Sequence, residues 1–125
     1  MQMSPFRFGP VALTNTYTTD VLNPGTTTGG VNATSAPYDK TKIILRHIRI
    51  VNKTNGAVTF RLFIGATGAN AAGSEFIGYD LSIAANSAYD WYGYVALSTS
   101  DFLVGGASAS TSLTIEGEGE IGIAF

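Results

Sequence analysis

The last segment of the chain, from Leu113 to Phe125, alternates strictly along its length. Odd positions are apolar or glycine, and even positions are polar, acidic or small. A side-chain period of two is typical of a β-strand whose two faces meet different surroundings. Short alternating runs broken by Gly, Asn, Ser and Asp recur along all 125 residues, and no window holds an apolar period of 3.6 residues. The pattern therefore predicts a single all-β domain.

The strongest strand pattern covers residues 42–52, and residues 57–64 return after Asn55-Gly56, a dipeptide typical of tight hairpins. Further strands are predicted at 11–22, 75–83, 88–97, 101–107 and 111–124. Seven or eight strands at this spacing favour a β-sandwich of jelly-roll type. We expect its core to contain Ile48, Ile50, Val58, Phe60, Leu62, Ile64 and Ile115.

Two segments near the N-terminus depart from this pattern. Residues 1–10 are punctuated by prolines, and we expect an extended arm there, ahead of a sandwich domain over 11–125. If the arm is extended, Phe6 and Phe8 lie on one side of it, so Phe6, Arg7 and Phe8 are candidate contacts with a partner. Residues 23–40 form a loop without periodicity, and loops of that length are often functional or ordered by a partner.

The charges divide along the chain. All seven basic residues precede residue 62, whereas seven of the nine acidic residues follow it. Three of these acids, Glu116, Glu118 and Glu120, share one face of the last predicted strand. Two arrangements are open: the acidic row pairs with a basic strand of the same sheet, or it meets basic residues across a subunit interface. The candidate basic partners are Lys42, Arg46, Arg49 and Lys53.

The acidic row does not have the spacing of a metal site. Same-face neighbours on a strand lie about 6.8 Å apart, whereas Ca²⁺ takes six to eight oxygens at roughly 2.3–2.6 Å. No loop rich in Asp or Asn supplies the remaining ligands, and the chain has no cysteine for zinc or an iron–sulfur cluster. We therefore expect no metal and no cofactor.

Other classes of function are also disfavoured. His47 is the single histidine, lies mid-strand between Arg46 and Arg49, and has no nucleophile elbow to serve, so we expect no catalytic residue and no enzyme. A net charge of −2 predicts no nucleic-acid partner. The first ten residues show no apolar leader and only the last segment has the length of a membrane-spanning strand, so no membrane partner is expected.

The aromatic run at residues 89–94 is a second candidate site. Alternation places Tyr89 and Trp91 on one face of a strand, and Tyr92 and Tyr94 on the other. One pair is expected to fill the core while the other packs under a loop or at an interface. Alternatively, the exposed rings stack against sugars, which would make the chain a carbohydrate-binding module.

The segment "KTKIILRHIRIVNKTNGAVTFRLFIGA", followed by "LSIAANSAYDWYGYVAL" and "STSDFLVGGAS", resembles small β-sandwich structural proteins of tailed bacteriophages. The resemblance covers roughly residues 40–124 and lies in structural rather than catalytic motifs. It implies a virion structural protein, most simply a capsid decoration (cement) subunit that binds the major capsid protein non-covalently and stabilises the shell. It also implies a homotrimer that is made in the host cytoplasm and located on the capsid surface. A phage tail or fibre component is the alternative within the same class.

Overall fold

The computed structural model describes residues 3–22, 41–65, 74–98 and 101–123. These residues form eight β-strands, and no helix occurs among them. The strands are β1 (Met3–Ala12), β2 (Thr19–Leu22), β3 (Thr41–Asn52), β4 (Val58–Gly65), β5 (Glu75–Ile83), β6 (Ala88–Leu97), β7 (Phe102–Ala107) and β8 (Leu113–Ile123). They make two antiparallel four-stranded sheets, in the orders β1-β8-β3-β6 and β2-β7-β4-β5. The predicted all-β sandwich is confirmed.

The strand pairs are nested. β1 pairs with β8, β2 with β7, β3 with β6 and β4 with β5. Two further ladders, between β3 and β8 and between β4 and β7, complete the two sheets. β8 is a central strand, with β1 on one side and β3 on the other. One face of β8 enters the core, and its other face forms the middle of the outer surface of this sheet.

The predicted N-terminal arm is wrong for the residues that the structure describes. Met3–Ala12 form β1, an edge strand of the first sheet, and Phe6 and Phe8 are buried in the core. The prolines mislead because an edge strand tolerates them: half of its N–H groups have no partner strand to meet. The strand predicted over 11–22 is likewise divided between the end of β1 and the short β2. The predicted loop at 23–40 lies outside the described residues.

The hairpin predicted at Asn55-Gly56 is also wrong, because β3 and β4 belong to different sheets. The buried side chain of Asn52 holds this crossing instead. Its amide nitrogen donates to the carbonyl oxygens of Gly56, Ile83 and Ala84, at 2.9, 3.0 and 3.2 Å. Its Oδ1 accepts from the backbone nitrogen and the hydroxyl of Thr54. Because the Asn52 side chain satisfies the backbone polar groups of this corner, β3 and β4 do not need to pair with each other there.

A β-bulge in β3 decides which side chains reach the core. Ile43 and Leu45 point inward at odd positions, whereas Ile48 and Ile50 point inward at even ones. The register shifts between Leu45 and His47, where β3 carries one more residue than β8. All predicted core residues except Ile64 are buried, and Ile64 packs against the core partly buried. The bulge turns the next polar side chains of β3 toward the outer surface.

Candidate functional site

The outer surface of the β1-β8-β3-β6 sheet concentrates the charged and aromatic side chains singled out from the sequence. We call it the charged face, formed by Arg7, Arg46, His47, Arg49, Asp90, Tyr92, Tyr94, Glu116, Glu118 and Glu120. β8 brings its acidic row to the middle, between Arg7 on β1 and the basic residues of β3. In the ladders, Glu118 lies opposite both Arg7 and His47, and Glu116 lies opposite Arg49. Strand order therefore places opposite charges side by side within one chain.

Two ion pairs cross between neighbouring strands of the charged face. Arg46 Nη1 donates to Glu120 Oε1 at 3.1 Å, and Arg49 Nε donates to Asp90 Oδ1 at 2.8 Å. These side chains are 31–54% exposed, and ion pairs this accessible to solvent contribute little to stability. Lys42 and Lys53 are exposed too, and neither makes an ion pair with a residue in the described ranges. The pairs fix where the side chains stand rather than hold the fold together.

His47 lies at the centre of the charged face and contacts a carboxylate at each ring nitrogen. Nε2 is 2.7 Å from Asp90 Oδ1, and Nδ1 is 3.1 Å from Glu118 Oε1. Only the doubly protonated ring donates to both. Burial, with 15% of the side chain exposed, would lower the pKa of His47, but the bonds to Asp90 and Glu118 outweigh it and raise the pKa above 6.5. The bonds from His47 and Arg49 lower the pKa of Asp90.

This arrangement limits the chemistry that His47 performs. A general base needs a free ring nitrogen toward its substrate, whereas both nitrogens here face carboxylates. The two carboxylates also sit at opposite edges of the ring, so the trio does not converge on one ion. Among the described residues, no group of three or more His, Asp or Glu side chains is placed to hold a metal.

The four aromatic residues of β6 divide between the two faces. Tyr89 and Trp91 pack against the core, with ring centroids 5.4 Å from Phe60 and 5.1 Å from Phe76. Tyr92 and Tyr94 stand on the charged face, 71% and 66% exposed. The Tyr92 ring stacks on the imidazole of His47, with centroids 4.5 Å apart and planes at 11°.

A shallow depression of about 500 Å³ opens beside Tyr92. It is lined by Arg46, His47, Tyr92, Gly93, Glu118 and Gly119. Neither glycine has room for a side chain: a Cβ at Gly93 would lie 2.5 Å from the Trp91 ring, and one at Gly119 would meet the Ile44 carbonyl oxygen. The lining therefore combines glycine backbone, the rings of His47 and Tyr92, and the charged groups of Arg46 and Glu118, a set that holds a polar ligand rather than an apolar one.

The candidate contact residues of the predicted arm do not form one surface. Phe6 and Phe8 are each 6% exposed and belong to the core, whereas Arg7 points to the charged face beside Glu118. Phe6 and Phe8 do lie on the same side of the extended segment, as the sequence predicted. Their partner, however, is the protein's own second sheet, because β1 is a full member of the sandwich.

A cluster on the opposite sheet carried no clear signal in the sequence. Arg61 donates from Nε and Nη2 to the two carboxylate oxygens of Asp80, at 2.7 and 3.1 Å. Its guanidinium lies between the rings of Tyr17 and Tyr79, 4.3 and 4.2 Å from their centroids. Asp80 has φ of 55° at a bulge of β5, a conformation that Asp tolerates better than most residues. An Asp inside an alternating run is the single hint of this bulge.

In comparisons with known proteins, the chain matches no protein-family model and no curated protein. Within the described ranges, no helix is long and apolar enough to cross a membrane.

Proposed function

We propose that the chain is a virion structural protein, a capsid decoration subunit that binds the major capsid protein non-covalently and stabilises the shell. The observation that supports it most is the strand order. Nested pairs in two sheets, β1-β8-β3-β6 and β2-β7-β4-β5, support an eight-stranded jelly roll. That architecture recurs in viral capsid and lectin domains. The resemblance of residues 40–124 to tailed-phage structural proteins favours the capsid among these.

A decoration subunit acts by binding alone, and the charged face fits such a role. Its arginine and tyrosine side chains are types enriched at protein interfaces. Its central histidine has no free ring nitrogen with which to start a reaction. A ligand that binds only the assembled shell stabilises that shell by mass action, so no covalent step is required.

Self-association into a homotrimer is part of the proposal. A 13.1 kDa domain buries only about two-thirds of the surface of its unfolded chain, which leaves it a modest stability of its own. Three linked copies would also engage three neighbouring capsid subunits at once and gain affinity through avidity. Analytical ultracentrifugation of the full chain is expected to give three times the monomer mass. A protein that is strictly monomeric at the concentration that saturates the capsid would contradict the homotrimer.

The experiment that tests the function is electron microscopy of purified phage particles that carry a tagged copy of the chain. We expect tag density on the outer capsid surface, and particles lacking the chain to release their genome at a lower temperature. Tag density confined to the tail would favour the tail or fibre alternative. Absence of the chain from purified particles would overturn a virion role of either kind.

A further inference from the structure

The two most exposed large apolar side chains among the described residues lie side by side on the charged face. Tyr92 and Tyr94 are 71% and 66% exposed, although the same strand sends Tyr89 and Trp91 into the core. A large ring left in water forgoes the stabilisation that burial would bring. Isolated exposed tyrosines are ordinary, but two neighbouring ones, the first of which lines a depression, indicate a binding site.

Both rings are supported from one side by the protein itself. Tyr92 lies flat on the imidazole of His47, and the guanidinium of Arg46 is 5.5 Å from the centroid of Tyr94. His47 and Arg46 are in turn held by Asp90, Glu118 and Glu120. A ring whose position is fixed before binding loses little side-chain entropy on contact with a ligand. The outward surfaces of the two rings thus form a preorganised aromatic platform.

The charges around the platform indicate a neutral ligand. Arg46 pairs with Glu120, and His47 lies between Asp90 and Glu118, so each charge has an opposite neighbour. A charged ligand, whether an anion or a cation, would meet both signs of charge there and gain little net attraction. The exposed carboxylate of Glu118 and guanidinium of Arg46 nevertheless offer an acceptor and donors beside the rings. Such pairs of planar polar groups suit ligands that carry many neighbouring hydroxyl groups.

The shape of the depression indicates an extended ligand. A compact small molecule is usually enclosed over most of its surface, whereas the depression between Tyr92 and Glu118 is shallow and open. A sugar chain has an apolar C–H face that packs on an aromatic ring and hydroxyl edges that bond to polar side chains. It also extends beyond any single contact. Each of these features has a counterpart on the charged face.

We propose that Tyr92 and Tyr94, with Arg46 and Glu118 beside them, form a binding site for neutral oligosaccharides. This inference goes beyond the proposed virion role and does not depend on it. On a virion surface the site would tether the particle weakly to neutral glycans of a host cell or its surroundings wherever the capsid leaves the platform uncovered, a function separate from stabilising the shell.

The test uses the full chain and neutral oligosaccharides of three to six hexoses, drawn from glucans, mannans and galactans. The single tryptophan provides an indirect readout: the Trp91 ring packs on the core side of the sheet, but it lies against Gly93, whose backbone lines the depression. Binding of at least one of these series is expected to change tryptophan fluorescence and to show saturable heat in calorimetry. Charged sugars of the same length are expected to bind no better than the neutral ones.

Substitutions then locate the site. Tyr92→Ala and Tyr94→Ala are each expected to weaken binding at least about tenfold, about 1.4 kcal/mol, whereas Tyr92→Phe keeps the ring and most of the affinity. Tyr79→Ala is the matched control, because Tyr79 is also an exposed tyrosine but lies on the other sheet. Circular dichroism of each variant checks that the fold persists, which the exposure of these rings favours.

Three results would overturn the site. The first is that the wild-type chain binds none of the neutral series. The second is that Tyr79→Ala weakens binding as much as Tyr92→Ala does. The third is that the Tyr92 and Tyr94 variants lose trimer formation or capsid binding while no sugar binds, which would make the platform a protein interface. Sugar binding is measured without capsids, so a failure to bind sugars leaves the virion proposal standing. Equally, absence of the chain from virions leaves the oligosaccharide site standing.

Discussion

The ring of Phe8 on β1 covers Gly117, its cross-strand neighbour on β8. A Cβ at Gly117 would lie 2.5 Å from two carbons of that ring and 2.7 Å from the carbonyl oxygen of His47. The aromatic ring thus occupies the space that a side chain would take, a device known from other sheets as aromatic rescue of a glycine. The same contact connects the edge strand to the strand that carries the acidic row.

Gly117→Ala is therefore expected to destabilise the domain by about 1–3 kcal/mol, the usual effect of overpacking a core. Gly56→Ala is the matched control, because nothing lies within 4 Å of a Cβ there and the backbone does not have positive φ. It should be neutral or stabilise by up to about 1 kcal/mol through the unfolded chain. Urea unfolding of both variants makes the comparison, and equal midpoints would contradict the packing seen around Gly117.

Removal of residues 1–9 is expected to unfold the domain rather than to detach a separable arm. The deletion takes most of β1 away, together with the buried rings of Phe6 and Phe8. As a finer test, Phe8→Ala should cost about 3–5 kcal/mol, whereas Arg7→Ala, on the exposed face of the same strand, should stay within about 0.5 kcal/mol. A truncated chain that melts at the wild-type temperature would contradict this prediction and favour a separable N-terminal arm.

Six of the eight strands, β3 to β8, and most of the core could be predicted because alternation is a local signal. Ile48, Phe60 and Ile115 are buried where the pattern puts them. Bulges are harder to predict, since one extra residue reverses the phase for the remainder of a strand. In β3 the sequence does carry a signal of the bulge, because the apolar side chains change from odd to even positions between Leu45 and Ile48. The change can be assigned to a bulge only when the pairing of β3 with β8 is known.

The contacts of the candidate site could not be predicted, for a related reason. The neighbour of His47 at Nε2 is Asp90, which lies 43 positions away along the chain. That contact depends on β3 and β6 being partners, and the sequence instead favoured pairing of β3 with the next strand at Asn55-Gly56. Short-range turn signals are thus outweighed by a buried side chain, Asn52, which holds the chain at a corner between the sheets.

Asn52 supplies a third prediction. Its side chain is fully buried, and its replacement by alanine would leave up to three carbonyl oxygens short of a donor. We expect Asn52→Ala to cost about 2–4 kcal/mol, because buried polar groups without partners are expensive. Asn55→Ala, an exposed asparagine in the same turn, is the control and should change stability little. If both variants unfold at the same denaturant concentration, Asn52 does not hold the corner.

His47 should make the stability of the domain depend on pH. Its folded-state pKa is raised, so the protonated ring favours the folded state, and this contribution is fully present below the unfolded pKa near 6.5. It is lost as the pH rises from there through the raised folded pKa. The groups facing the ring are Asp90 and Tyr92 on β6, Glu118 on β8, and the nearby cations Arg7 and Arg49. Asp90, whose pKa is lowered, stays ionised across this range.

Because the chain has one histidine, its titration is a single NMR signal that gives the folded pKa directly. We expect a value above 6.5 in the wild type and a lower one in Asp90→Asn, which removes the charge at Nε2 but leaves Glu118 at Nδ1. Thermal unfolding of His47→Gln and wild type across the same range should show a stability difference that shrinks as the pH rises above 6.5. A folded pKa at or below 6.5, or a difference that grows with pH, would show that the two carboxylates do not hold the imidazolium.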